Sequence, residues 1–380
     1  MNILINAAGI SATGPTQVTV SFLEECIKYP MNEYHVLLSN RLKSEINKCI
    51  FPINFTFYDI ANHPVRSGII KGWRVRNYLR NLENRIRPDV VFSVFGPSYW
   101  RPKKPHLQGY AQPHYIYPES PYFQKINYLQ KMKWGLLSHL HMYYFLHCGN
   151  YFVCETGDVS ERLSELYKVL HANVFVVSNT YGSNYLYSYP NDSLILPPKK
   201  ENEFRFLSLC SYMTHKNLDI INHVASLMAD RRVFQDFVFV LTIDDEKYQK
   251  YFSPLAKKCI INIGRISVDK CPQIYKECDA LFLPTLLECF SANYPEAMVM
   301  QKPIITSNLS FARSVCGDAA LYFNPLSASD ILDKMSLLIY NADLRDELVK
   351  NGLKRLDSFS SSEQRAKRYL DICESIIRSN

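Results

Sequence analysis

The sequence predicts an α/β protein built from two Rossmann-like βαβ domains facing each other across a cleft. Its 380 residues are about twice an ordinary domain. Short apolar runs alternate with segments of helical period along most of the chain, the pattern of parallel sheets flanked by helices. That alternation breaks once, over residues 181–200, where Tyr, Ser, Asn and Pro accumulate before Leu-Pro-Pro-Lys-Lys, a composition typical of a linker. Ligands of such sheets bind outside the strand carboxyl ends, so the site is expected in the cleft.

In the first half, residues 2–8 read as a buried strand, 9–15 as its turn and 16–27 as an amphipathic helix. Strands follow at 34–39 and 55–58, a helix at 77–86 stopped by Pro88, and a strand at 89–95. Residues 129–148 have a long helical period, and 151–154 and 174–177 are short strands. Beyond the linker come strands at 204–209, 237–241, 259–263, 280–283 and 303–306. Helices are expected at 218–229, 331–338, 344–356 and 363–377. The expected domains are 1–185, joined by the C-terminal helix 357–380, and 186–356.

Hydrophobic residues at 47% and charged residues at 21% exclude a disordered chain. Eleven Cys without a CxxC pair point to reduced, buried thiols and a cytoplasmic location, not to disulfides or a zinc knuckle. The N-terminus lacks the basic and apolar regions of a signal peptide, and no run is long enough to span a bilayer. Charge is uneven. Residues 62–150 hold 13 Lys and Arg against 3 Asp and Glu, a net +10, which leaves −3 for the rest. Cations there mix with Trp73, Tyr78 and Trp134, so residues 66–133 are read either as a solvated face or as contact with an anionic inner-membrane surface. No nucleic-acid-binding motif accompanies them.

The most informative stretch is Leu283-Pro-Thr-Leu-Leu-Glu-Cys-Phe-Ser-Ala-Asn-Tyr-Pro-Glu-Ala-Met298. Asn293 and Glu296 have the spacing of a helix capping box. Glu288 and Glu296 have equally the placement to accept hydrogen bonds from ligand hydroxyls beside a helix start. These readings can coexist.

With Glu288 and Glu296 in an E-x7-E spacing, this stretch resembles the donor-binding motif of retaining glycosyltransferases of family four, which have the GT-B fold. Val177-Ser-Asn-Thr180, Lys302-Pro-Ile-Ile305 and the segment from Asp357 to Leu370 resemble further family segments in the same order. The resemblance implies that Glu296 binds the nucleotide ribose, that Glu288 meets hydroxyls of the transferred sugar, and that amides around Phe290, Ser291 and Ala292 face sugar and diphosphate. Ser291 stands where the family usually has Gly.

A second family signature, Gly-Arg followed by Lys, matches Cys210-Ser-Tyr-Met-Thr-His-Lys-Asn217. It assigns Lys216 to the diphosphate, a reading favoured over the plain one of a solvated lysine before a helix. Ser211 occupies the Arg position, which either weakens stabilisation of the leaving group or hands that task to another cation such as Arg265. Gly9 and Gly14 resemble the first-domain glycine loop. His114, in Gln112-Pro-His-Tyr-Ile-Tyr-Pro-Glu-Ser120, is either a structural loop histidine or, as the resemblance implies, the residue beside the anomeric carbon or the acceptor.

The implied activity is metal-independent, retaining hexosyl transfer from a UDP- or GDP-sugar to a saccharide or lipid-linked saccharide. The resembling enzymes are bacterial and build lipopolysaccharide O-antigen or capsule, at the cytoplasmic face of the inner membrane. No cofactor is expected besides the donor substrate. The missing Arg supports an alternative, a catalytically silent GT-B module that binds a sugar nucleotide or a partner. A third reading, a GT-B epimerase, would need cleft acid and base groups that the sequence does not identify.

Overall fold

The computed structural model describes residues 1–186, 194–231 and 237–379, so the expected linker lies partly outside the described residues. The chain forms two compact units. The first comprises Met1–Ile116, Tyr128–Asn179 and Ser360–Asn380, the second Tyr117–Asn127 and Thr180–Phe359.

The first half runs β1 (Asn2–Ala7), α1 (Thr13–Cys26), β2 (Glu33–Ser39), α2 (Asn40–Glu45), β3 (Phe55–Ile60), α3 (Ile69–Ile86), β4 (Val90–Ser93), β5 (His106–Tyr110), α4 (Tyr122–Lys125), α5 (Tyr128–Cys148), β6 (Tyr151–Cys154), α6 (Gly157–Tyr167) and β7 (Val174–Val176). Its strands form one sheet in the order β3-β2-β1-β4-β5-β6-β7, parallel throughout.

The second half runs β8 (Phe204–Ser208), α7 (Ile220–Asp230), β9 (Phe237–Leu241), α8 (Asp245–Tyr251), α9 (Pro254–Lys257), β10 (Ile260–Asn262), α10 (Cys271–Glu277), β11 (Ala280–Leu283), α11 (Asn293–Val299), β12 (Ile304–Ser307), α12 (Ser310–Cys316), β13 (Ala320–Phe323), α13 (Ala328–Tyr340), α14 (Ala342–Leu356) and α15 (Ser362–Arg378). Its sheet, also parallel, has the order β10-β9-β8-β11-β12-β13. Connections from β1 and from β8 leave in both directions across their sheets, so each sheet has a topological switch point beside its central strand.

Strands β1, β2 and β4 of the first sheet are buried on both faces, which is why they read as continuous apolar runs. On one face α1 and α15 close over Ile3, Ile5 and Phe92. Phe22 there meets Phe92 and Tyr369 edge-to-face, at 5.3 and 5.5 Å between centroids. Leu79 and Leu82 of α3 cover Leu4, Leu37 and Val91 on the other face. Arg365 anchors α15 to the unit. Its buried guanidinium donates to Ser21 Oγ at 3.0 Å and to Asn179 Oδ1. The second unit has its own core of Phe206, Phe239, Phe282 and Ile305 under α7 and α13.

Helices α6, α10 and α12 and strand β13 carry no sequence expectation, and three further departures have a clear physical reason. β5 carries buried His106 and Gln108, so no apolar run announces it. Gln108 Nε2 donates to Phe145 O at 2.7 Å, and His106 pairs with Ser93 Oγ at 2.8 Å and Cys148 O at 2.5 Å. α3 begins at Ile69 instead of residue 77, because Ile69, Ile70 and Trp73 face solvent and erase the amphipathic period that would have marked its start. Finally, residues 117–127, expected in the first domain, pack with the second unit. Tyr122 is buried there, Ser120 Oγ donates to Leu286 O at 2.6 Å, and Lys125 Nζ bonds Asp219 Oδ2 at 2.8 Å.

Candidate active site

In the second unit the switch point lies between β8 and β11, and the loops leaving those two strands meet. Leu286 N donates to His215 O at 2.7 Å, and Thr285 Oγ1 donates to the same oxygen at 3.2 Å. Both contacts fix the Thr214–Lys216 turn against the loop after β11. Asn217 closes that turn in the left-handed region, at φ 56°, which Asn tolerates better than most residues. Its buried amide donates to Pro325 O at 2.9 Å and accepts from Lys125.

Lys216 is thereby aimed at Glu288, with Nζ 2.5 Å from Oε1 and the two side chains only 16% and 10% exposed. Burial disfavours the ammonium, but the Glu288 carboxylate, the Cys210 thiol and the Glu288 hydrogen bond together leave the Lys216 pKa above its ordinary value. Lys216 therefore stays charged. Its neighbour His215 is held neutral, pushed down to about 3 by burial and by Lys216.

Glu296 lies in the first turn of α11. The capping box expected with Asn293 does not form: Ala292 is the N-cap, and Asn293 Nδ2 instead donates to Leu209 O at 2.9 Å. This bond ties α11 to the end of β8 and leaves the Glu296 side chain to other partners. Tyr275 donates to Glu296 Oε2 at 3.4 Å, and the Tyr185 hydroxyl also hydrogen-bonds this carboxyl. Burial raises the Glu296 pKa to about 7 against the pull of both hydroxyls. Phe290, buried Ser291 and Ala292 form the approach to α11, and Phe290 meets Phe359 at 6.1 Å.

Ser211, at the position of the missing Arg, is exposed. Arg265 is not drawn to Lys216. It follows β10 at the sheet edge and forks onto Asp244 through Nε and Nη2, the latter at 2.8 Å. Sequence reasoning missed Tyr185 and Tyr275, because a tyrosine alone carries no signal of the carboxylate it will face. It also missed Ser120 and Lys125, whose partners lie about 90 to 170 residues away.

The remaining predicted residues belong to the first unit. Gly9 lies in the turn after β1, where an added Cβ would sit 3.8 Å from His63 Nε2, and Gly14 lies in the first turn of α1 with open space around it. Neither glycine is required by the packing of the chain itself. His114 stacks on Trp134 of α5 at 3.8 Å and 11°. Nearby, Tyr115 Oη and His141 Nδ1 pair at 2.6 Å, while Tyr99 contacts His63 and His141 edge-on.

Residues 196–355 match the family described as Glycosyl transferases group 1. A glycosyltransferase from Rickettsia africae ESF-5 aligns with a TM-score of 0.72 and 15% identity, covering 100% of this chain and 99% of that one. Anabaena Alr3699/HepE in complex with UDP and glucose aligns at 0.69 and 11%, covering 99% and 100%. WaaG, a glycosyltransferase involved in lipopolysaccharide biosynthesis, aligns at 0.69 and 12%, covering 98% and 99%. No curated protein matches the chain by sequence. The fold is that of GT-B glycosyltransferases, with the group 1 match in the second unit.

Proposed function

We propose that this GT-B chain is a retaining glycosyltransferase that moves a hexose from UDP or GDP to a saccharide or lipid-linked saccharide in bacterial surface polysaccharide synthesis. The observation that carries the reading is the buried Lys216–Glu288 pair at the β8–β11 switch point, with Glu296 on the helix that follows β11. Anabaena Alr3699/HepE, of the same fold, is described with UDP-glucose, which supports a nucleotide-sugar donor.

In this reading the Lys216 ammonium offers its N–H groups to the donor diphosphate while Glu288 keeps it charged. Charge that builds on the diphosphate as the glycosidic bond breaks is then met by a cation already in place, so the protein need not reorganise during the step. Glu288 Oε2 accepts from a hydroxyl of the transferred sugar, and Glu296 accepts from the ribose. Turns 242–245 and 263–266 would flank the base; Asn262 ties them by accepting from Ile243 N at 3.2 Å and donating to Ile243 O at 3.1 Å. His114 would lie on the acceptor side. Retention follows if the acceptor hydroxyl attacks from the face the diphosphate leaves, passing its proton to the departing oxygen.

Calorimetric titration of the purified chain with UDP and with GDP, followed by product detection with the matching sugar nucleotides, tests the reading. Binding of one nucleotide with transfer of its sugar supports it. Binding without transfer to any saccharide acceptor favours the silent module, which the exposed Ser211 would explain. Absence of binding by either nucleotide removes the donor assignment.

A further inference from the structure

We propose that the first unit docks on the surface of an anionic phospholipid bilayer through α3 and the first turns of α5. The docking surface deepens the transferase reading by locating the enzyme beside a lipid-linked acceptor, but its evidence is separate. α5 has 21 residues, and its buried ones are Met142, Phe145 and Cys148, near its end. On another face Leu129, Met132, Leu136, Leu140 and Tyr143 are all exposed, Leu129 at 74% and Leu136 at 73%. Steps of three and four place these five on one helix face. α3 repeats the pattern with Ile69, at 89% exposed, Ile70 and Trp73.

These helices share a side of the first sheet. Both cross over between parallel strands in the same direction, from β3 to β4 and from β5 to β6, and right-handed crossovers then place them on one face. Packing agrees. Leu79 of α3 covers Leu4 and Val91, on the face opposite α1, and the loop leading into α3 reaches α5 through the His63–Tyr99–His141 ring contacts.

Cations interleave with the apolar residues: Lys71, Arg74 and Arg80 on α3, Lys131 and Lys133 on α5, all exposed. Of the three acids in residues 62–150, Glu83 is buried and accepts from Trp100 Nε1 at 3.2 Å and Lys103 N at 2.7 Å. A hollow of about 410 Å³ opens between α3 and the end of β3, lined by Lys71, Arg74, Tyr78 and Asp59. Lys43 and Lys48 already neutralise Asp59, at 2.6 and 3.1 Å, which leaves Lys71 and Arg74 to face a lipid phosphate.

This combination selects a bilayer surface. Aliphatic side chains enter the acyl boundary, the ring of Trp73 sits at headgroup depth and the cations meet phosphates. A second copy of the same face would bring two strongly basic surfaces together, and no nucleic-acid-binding motif accompanies these helices. Among the described residues no helix is long and apolar enough to cross a membrane, so this contact would lie in the interface plane.

Co-sedimentation of the full chain with vesicles of phosphatidylglycerol and phosphatidylcholine, and with phosphatidylcholine alone, tests the proposal without donor present. Binding should require phosphatidylglycerol and weaken with salt. L129S/M132S/L136S should lower the partition coefficient at least about tenfold, and K71Q/R74Q should weaken binding through charge. UDP and GDP titrations of the same variants report the second unit separately. Arg76 is left intact because its Nη1 holds Pro64 O at 2.6 Å. The proposal is overturned by absence of binding to anionic vesicles, by binding that the triple variant leaves unchanged, or by a solution dimer that the triple variant dissociates.

Discussion

Glu296 gives the sharpest test of the donor-site reading, because its charge state is set to change near neutral pH. Burial raises its carboxyl to about 7 from an ordinary 4.5, and the hydroxyls of Tyr185 and Tyr275 oppose the rise. If the ionised carboxylate is the form that holds the ribose, about one site in eleven is competent at pH 6, half at pH 7 and about ten in eleven at pH 8. Nucleotide affinity should therefore climb about tenfold between pH 6 and pH 8, worth about 1.4 kcal/mol. The nucleotide's own terminal phosphate titrates in the same range, so the informative quantity is the difference from Glu296→Gln, which keeps the phosphate titration and loses the carboxylate. Isothermal titration of both proteins across that window measures it. Parallel pH slopes in wild type and Glu296→Gln would refute the ribose assignment, whatever the affinities themselves. Tyr275→Phe provides the complement: losing a hydroxyl that favours the ionised form should move the wild-type midpoint to higher pH.

The same carboxyl carries a stability prediction. Between pH 4.5 and 7 the folded state holds a proton that the unfolded chain has released, so stability should fall as pH rises through that window, by up to about 3 kcal/mol. Urea unfolding of Glu296→Gln should lack this component. Lys216→Met should destabilise the second unit by about 3 kcal/mol, because it leaves Glu288 charged without its partner, and Lys216→Met/Glu288→Gln should recover much of the loss; additive losses in the double variant would show that the pair is not coupled. Ser211→Arg should tighten binding of a nucleoside diphosphate more than that of the monophosphate, and equal effects on both would place residue 211 away from the second phosphate. Arg365→Met should lower hydrogen-exchange protection of α15 by about 30-fold, the equivalent of about 2 kcal/mol of charged hydrogen bonds, and unchanged protection would mean that apolar packing alone holds this helix.

Much of the fold was legible in the sequence where burial imposes a pattern. Strands β1, β2, β4, β8, β9 and β11 are covered by helices, so their apolar runs stand out against polar turns, and α15 shows its amphipathic face directly. Two of the elements that escaped notice do not follow that rule. β5 buries His106 and Gln108 because Ser93, Cys148 and Phe145 satisfy their polar atoms, an arrangement that only the assembled sheet creates. α3 hid its first turns because their large apolar residues point outward.

The candidate site divides in the same way. Residue types and spacing were enough to single out Glu288, Glu296 and Lys216. The ion pair joining Lys216 to Glu288 across 72 residues was a matter for tertiary structure, as were the two tyrosines at Glu296, the fork that commits Arg265 to Asp244 and the packing of 117–127 on the second unit. Local sequence determines periodicity, turns and the supply of charged groups. Which charges meet, and at what burial, depends on contacts distant in the chain, and those contacts fix both the pKa of Glu296 and the charge of Lys216.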